Sequence, residues 1–269
     1  MTHYIIWTLT AILYTPILCV LYRYGWRSSD YTHAYFILPV SFWLAWRKRT
    51  VLKKTIQNIN RKSNFIGLFI LFFGISLFIF GWRQGYRSII TLSLIPVLYG
   101  LISYLYGLET TRVLSFPIFY LILLAPIPTG IVDSVTLPMR YGLSVATETI
   151  LKLFQYPITR EGLLLTMGET ELFMGQPCSG FRSIVTMFSL SLVYVYISKS
   201  RLSKKSILLV SIIPIAVLGN LIRIITLCLI TYYFGEEVGQ GFFHNFSGIV
   251  IFLFIILGLF GLEYCLKER

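Results

Sequence analysis

Histidine and cysteine are scarce in this 269-residue chain, which has three of the first and four of the second. Three histidines are too few for a zinc site built on several imidazoles, so neither a metal nor a cofactor is expected. Three of the cysteines (Cys19, Cys228 and Cys265) fall inside apolar runs or at their inner ends, which argues against a disulfide framework. Acidic residues are also few, 11 against 23 lysines and arginines. Charged residues make up 13% of the chain, about half the usual share of a soluble domain. Strict apolar–polar alternation is missing from runs such as 65–80 and 249–262, and that absence excludes a transmembrane barrel. The first apolar run lacks a basic leader and a small-residue cleavage site, so it is expected to be retained.

What is abundant is apolar sequence. Hydrophobic residues make up 56% of the chain, in stretches of roughly 17–25 residues, each long enough to cross a bilayer as a helix. The reading is an all-α polytopic membrane protein with about eight spans, near 4–22, 34–46, 64–81, 89–106, 112–127, 180–198, 206–234 and 246–263. The net charge of +12 does not point to nucleic acid, because the basic residues gather beside the ends of the spans. One basic loop holds Arg47, Lys48, Arg49, Lys53, Lys54, Arg61 and Lys62, and a second holds Lys199, Arg201, Lys204 and Lys205. Placing both, and the tail with Lys267 and Arg269, in the cytoplasm fits eight spans. Both termini are then cytoplasmic in an inner or plasma membrane.

This orientation puts residues 128–179 outside, as a small cap on a single domain of 1–269. Apolar residues at helical spacing over 128–154, mixed with Asp133, Arg140, Glu148 and Lys152, predict interfacial amphipathic helix. Two short strands around the Gly168-Glu169 turn predict a β-hairpin that leads into Cys178.

Three residues could carry chemistry. Cys178 sits in Gln176-Pro177-Cys178-Ser179-Gly180-Phe181-Arg182-Ser183, where a helix begins. A thiol at a helix N-terminus feels the positive end of the macrodipole, which favours thiolate, and Arg182 one turn on adds to it. Cys19 and Cys228, in apolar helices without nearby charge, read as packing residues. Arg223 lies seventeen residues beyond Ser206, a rise of about 25 Å at ~1.5 Å per residue, within the outer part of a ~30 Å core. An arginine there faces a partner, a water-filled cavity or the headgroups, and Asn220 shares its helix face. His244 stands at the outer mouth of the last span. His33, in Tyr31-Thr32-His33-Ala34, also maps outside and reads as supporting. A nucleophile, a base and a cation on one face suit acyl transfer.

In these residues the chain resembles the exosortase/archaeosortase family of membrane-embedded sorting enzymes. The resemblance runs from Tyr31-Thr32-His33-Ala34 through Ala125-Pro126-Ile127-Pro128, Asp133 and Arg160-Glu161-Gly162. It continues through the Cys178 block and Asn220-Leu221-Ile222-Arg223 to His244 and Gly248. It implies Cys178, Arg223 and His244 as catalytic residues, with Asn220, Arg182, Ser179, Gly180 and His33 in support. A histidine at the third position is similar to bacterial exosortases. The chain ends soon after the last span, without the fused outer domain of some members. The resemblance also implies the substrates: proteins ending in a PEP-CTERM-like sorting signal, made of a short motif, a membrane helix and a basic tail. The implied activity is that of a cysteine protease or transpeptidase, with a glycan or lipid as acceptor in the second case. Two other readings stay open on the residues alone: a non-enzymatic component of exopolysaccharide export, and a small transporter with Arg223 as counter-charge.

The orientation is testable by single-cysteine labelling with the other cysteines replaced. Gly168→Cys is expected to react with a membrane-impermeant thiol reagent from outside, and Asn58→Cys only after permeabilisation. The opposite pattern inverts the topology.

Overall fold

The computed structural model describes residues 2–26, 31, 33–57, 65–174, 181–198 and 201–235, with positions 238, 253, 257–258, 261–262 and 264. Among the described residues four helices are long and apolar enough to cross a bilayer: His3–Arg23, Phe65–Gln84, Arg87–Leu124 and Ser203–Phe234. The protein is a multi-pass, mostly helical membrane protein. The chain divides into two compact units, Met1–Pro128 and Thr129–Arg269.

The first unit holds α1 (Thr2–Val20), α2 (Ala34–Arg47), α3 (Arg49–Gln57), α4 (Phe65–Gln84) and α5 (Arg87–Tyr120). Short α3 occupies the strongly basic loop and buries none of its residues. Gly107 in α5 has φ 84° and ψ 164°, so that run is two helices meeting at a kink. The break falls between the expected spans 89–106 and 112–127. α4 and α5 pack antiparallel at unusually close range, because glycine recurs every seventh residue of α4. A Cβ at Gly67 or Gly74 would stand 2.7 Å from the backbone nitrogen of Tyr104 or Val97. One at Gly81 would stand 2.9 Å from that of Ile90. Helices in lipid gain little from the hydrophobic effect on meeting, so contact this close is what holds them. Across the same unit the Tyr14 hydroxyl on α1 shares a buried 2.8 Å hydrogen bond with Ser93 on α5.

The second unit holds α6 (Thr129–Leu153), a sheet of β1 (Ile158–Glu161), β2 (Leu164–Met167) and β3 (Thr170–Phe173), then α7 (Phe181–Ile197) and α8 (Leu202–Phe234). The expected hairpin is in fact a three-stranded antiparallel meander in the order β1-β2-β3. Both turns are two residues long, and their first residues, Gly162 and Gly168, have φ of 61° and 63°. Only glycine adopts that conformation freely, and it is the pattern of the II′ turns that suit strand twist. The core is built from Leu143 and Leu151 of α6, Leu165 and Leu172 of the sheet, and Ile224 and Leu227 of α8. The expected span 246–263 lies largely outside the described residues. Gly258 within it packs on α8, where a Cβ would fall 3.1 Å from Ile215 Cγ2.

Two glycine substitutions should act in opposite directions. Gly74→Leu should destabilise the protein by about 1–3 kcal/mol or more, the scale of overpacking, because the adjoining atoms are backbone. Gly142→Ala, with nothing within 4 Å of its Cβ, should be neutral or stabilise by up to about 1 kcal/mol through helix propensity. Unfolding in detergent micelles reads both, and equal effects would refute the close-packing account.

Candidate active site

Helix α8 carries the candidate arginine. Asn220 is buried and Arg223 half-buried one turn later, while Ile224, Leu227 and Cys228 sit in the core against the sheet. Cys228 is therefore a packing residue, whereas Cys19 on α1 is exposed. The strand end that leads towards Cys178 reaches the same core. Met174 donates its backbone N–H to the Leu163 carbonyl at 2.9 Å, continuing the ladder past β3. Its side chain is fully buried in the cluster with Ile224, Leu227 and Cys228. Met174 and Phe181 are the described residues that flank the Cys178 segment. Cys178, Ser179 and Gly180 lie outside the described residues, as do His244 and the side chain of Arg182.

His33 belongs to the first unit. It is buried at the start of α2, its ring 5.9 Å from that of Tyr31. The Tyr31 hydroxyl in turn donates to the Ile127 carbonyl at 2.9 Å and accepts from the Ile127 N–H at 2.8 Å. This ties the segment before α2 to the end of the unit.

Two features of the second unit escaped the sequence reading. The first is Arg160, which fastens the sheet to α6. Its Nε donates to Glu148 Oε2 at 3.0 Å and its Nη1 to the Gly162 carbonyl at 3.0 Å. Its guanidinium also lies 4.9 Å from the centroid of the Tyr141 ring. The motif Arg160-Glu161-Gly162 was a signal, but it gave no hint of a partner twelve residues upstream. The second is the polarity of α6. Thr136, Arg140, Ser144 and Thr147, spaced by three or four residues, are all buried. Ile131, Val135, Leu137, Tyr141 and Val145 on the opposite side are exposed. An amphipathic helix that rests on lipid turns its apolar side to acyl chains. Here those polar residues go to protein rather than to water, on a side they share with buried Val132, Leu143 and Leu151.

A family model described as transmembrane exosortase matches residues 25–261, most of the chain. The chain belongs to the transmembrane exosortase family. No curated protein and no solved structure matches it. The match spans both units of this exosortase, from before α2 to beyond α8, and takes in every candidate residue from His33 to His244. Membrane location and membrane-associated protein substrates follow from that membership.

The Arg160 cluster makes a pH-dependent contribution. The hydrogen bond from Lys152, and then that from Arg160, hold the Glu148 carboxyl below its ordinary value. A depressed carboxylate contributes stability above its unfolded-state pKa of about 4.3, and the contribution disappears as pH falls through the folded value. Glu148→Gln should therefore flatten the acid limb of thermal stability and leave the neutral-to-alkaline limb unchanged in shape. An unaltered acid limb would show that the cluster adds nothing.

Proposed function

We propose that the protein is a membrane-embedded cysteine peptidase or transpeptidase that cleaves C-terminal sorting signals at the outer membrane face. The signals are of the PEP-CTERM type, with a short motif, a membrane helix and a basic tail. The observation that carries the reading is that Met174 belongs to the same buried core cluster as Ile224 and Leu227. Met174 precedes Cys178 by four residues in sequence and Ile224 follows Arg223, so the shared cluster supports pairing Cys178 with Arg223. Family membership supports the same reading.

In the proposed cycle the Cys178 thiolate attacks the scissile carbonyl carbon and forms a C–S bond. The carbonyl π electrons move to oxygen. The tetrahedral intermediate collapses with breakage of the C–N bond, and His244 protonates the departing amine. The resulting thioester is attacked by water in hydrolysis, or by an amine or hydroxyl of a surface glycan or lipid in transfer. His244 takes the proton of that nucleophile, and Cys178 leaves as thiolate. Arg223 stabilises the thiolate or the oxyanion, with charge-assisted hydrogen bonds that are strong where water is excluded. Asn220 positions Arg223 from one turn below. Ser179, Gly180 and Arg182 shape the helix start that holds the thiol. His33 supports the entrance. A substrate helix entering sideways from the bilayer would place its motif at the outer face and keep its basic tail in the cytoplasm.

Cys178→Ala should abolish processing of a co-expressed substrate, while Cys228→Ala, a core change, should leave activity per inserted molecule near normal. Arg223→Lys keeps the charge and loses the planar fork. If Arg223 holds the thiolate or oxyanion, cleavage should fall about 10²-fold or more, the scale of a lost oxyanion donor. Lysine and arginine insert at similar cost, so accumulation should barely change. Near-normal cleavage by Arg223→Lys would make Arg223 a residue that only reaches for headgroups, and normal processing by Cys178→Ala would end the nucleophile assignment.

A further inference from the structure

Between Asp30 and Glu109 the chain has no acidic residue, yet five basic residues fall within eight positions of that stretch: Arg47, Lys48, Arg49, Lys53 and Lys54. Arg49, Lys53 and Lys54 lie exposed on α3, and among the described residues none of these three forms an ion pair. Arg49 and Lys53 stand four apart, the spacing at which like charges repel. The apolar residues of α3 are exposed as well, Val51 by 44% and Ile56 by 42%. At about 100° per residue, Val51, Leu52 and Ile56 share one side of the helix and Arg49, Lys53 and Lys54 the other. The end of α2 has the same mixed character. Trp43 and Trp46 are 47% and 57% exposed. Arg47 Cζ lies 5.6 Å from the centroid of the Trp43 ring, and Arg49 Cζ 5.4 Å from that of Trp46. Indoles and long cationic side chains gather where acyl chains give way to headgroups. The span Phe65–Gln84 begins eight residues past Gln57, which keeps α3 close to the bilayer surface.

We infer that α3, together with Trp43 and Trp46 at the end of α2, is a docking surface for anionic lipid headgroups. A nucleic acid or an acidic protein segment would match the charge but leave Val51 and Ile56 in water. An anionic bilayer surface matches both sides of the helix. Its apolar side and the two indoles enter the boundary between headgroups and acyl chains, and the lysines and arginines meet headgroup phosphates. The helix also packs on α5, so the fold holds the basic side in place before lipid arrives, which lowers the cost of binding. Cys178, Arg223 and His244 belong to the other unit. The surface is read by lipid binding, so it can fail while the proposed activity stands, and the reverse.

The test uses the full chain reconstituted in phosphatidylcholine bilayers, with tryptophan fluorescence as readout. Bromine on lipid acyl chains quenches nearby indoles, so brominated phosphatidylglycerol is compared with brominated phosphatidylcholine at equal mole fraction. Wild type should prefer phosphatidylglycerol by about fivefold, the worth of one basic residue near an anionic surface. Lys53→Gln/Lys54→Gln should cut that preference to about half or less. Trp43→Phe/Trp46→Phe should remove most of the preferential quenching, because these indoles are the reporters beside α3. Equal quenching by the two lipids in wild type would leave α3 to an acidic macromolecule and overturn the lipid site. An undiminished preference in either double variant would also overturn it, since the anionic lipid would then gather elsewhere. All four substituted side chains are exposed, so both variants should accumulate. If one does not, the other decides together with a salt titration of wild type. Raising sodium chloride from about 0.1 M to about 1 M shortens the screening length from ~10 Å to ~3 Å and should abolish the preference. A preference indifferent to salt would refute docking by charge.

Discussion

The contact between the three-stranded sheet and the middle of α8 is the interaction on which the second unit depends. A sheet of twelve paired residues in two short hairpins is marginal alone, since isolated hairpins barely hold together in water. Its stability comes from one face. Ile158, Leu165, Met167 and Leu172 are buried against Ile224 and Leu227 of α8 and Leu143 and Leu151 of α6. Burying side chains of this size contributes about 1.5–3 kcal/mol each. The same contact fixes where the chain emerges after β3, because Met174 belongs to it. Any chemistry that joins the segment beyond Met174 to Arg223 inherits its precision from this core.

The first unit relies on a different device. Its long helices α4 and α5 are apolar nearly all round, so apolarity cannot decide which of their faces meet. The glycines at Gly67, Gly74 and Gly81 decide it, by removing the side chains that would keep α4 and α5 apart. Hydroxyl pairs such as Tyr14 with Ser93 add direction where water cannot compete. The two units thus solve the same problem, a core without hydrophobic contrast, by shape in one and by a mixed sheet–helix core in the other.

These differences govern what could be read from the sequence. Long apolar helices were legible: the stretch 64–81 is α4, and 206–234 lies within α8, whose C-terminal end is closed by Gly235 at φ 88°. The turn at Gly168-Glu169 was legible because glycine at that position has a conformational reason. Strand β1 was not, since Ile-Thr-Arg-Glu carries two charges in four residues and buries only Ile158. Its pairing comes from β2 and from Arg160, neither of them local. Helix α3 was hidden in a basic loop for a similar reason, as it buries nothing. For α6 the helical period was clear and the buried side was not. Its buried side mixes Thr136, Arg140, Ser144 and Thr147 with Val132, Leu143 and Leu151, so polarity alone does not mark it. Most of the candidate site could be named in sequence because cysteine, histidine and an arginine within an apolar run are rare enough to stand out.

Three arginines of the second unit show how far compensation can differ at similar cost. Arg160 is paired with Glu148, bonded to the Gly162 carbonyl and set over the Tyr141 ring, and it acts as a tie between elements. Arg223 sits half-buried on an apolar helix, where insertion costs at least about 2.5 kcal/mol, and the companion that precedes it by one turn is the buried amide of Asn220. Arg140 is the most buried of the three and has no carboxylate partner among the described residues. A purely structural arginine is expected to look like Arg160, because a partly buried charge is kept cheaply when it is paired and hydrogen-bonded. The further an arginine departs from that state, the more its retention needs a reason outside the resting fold.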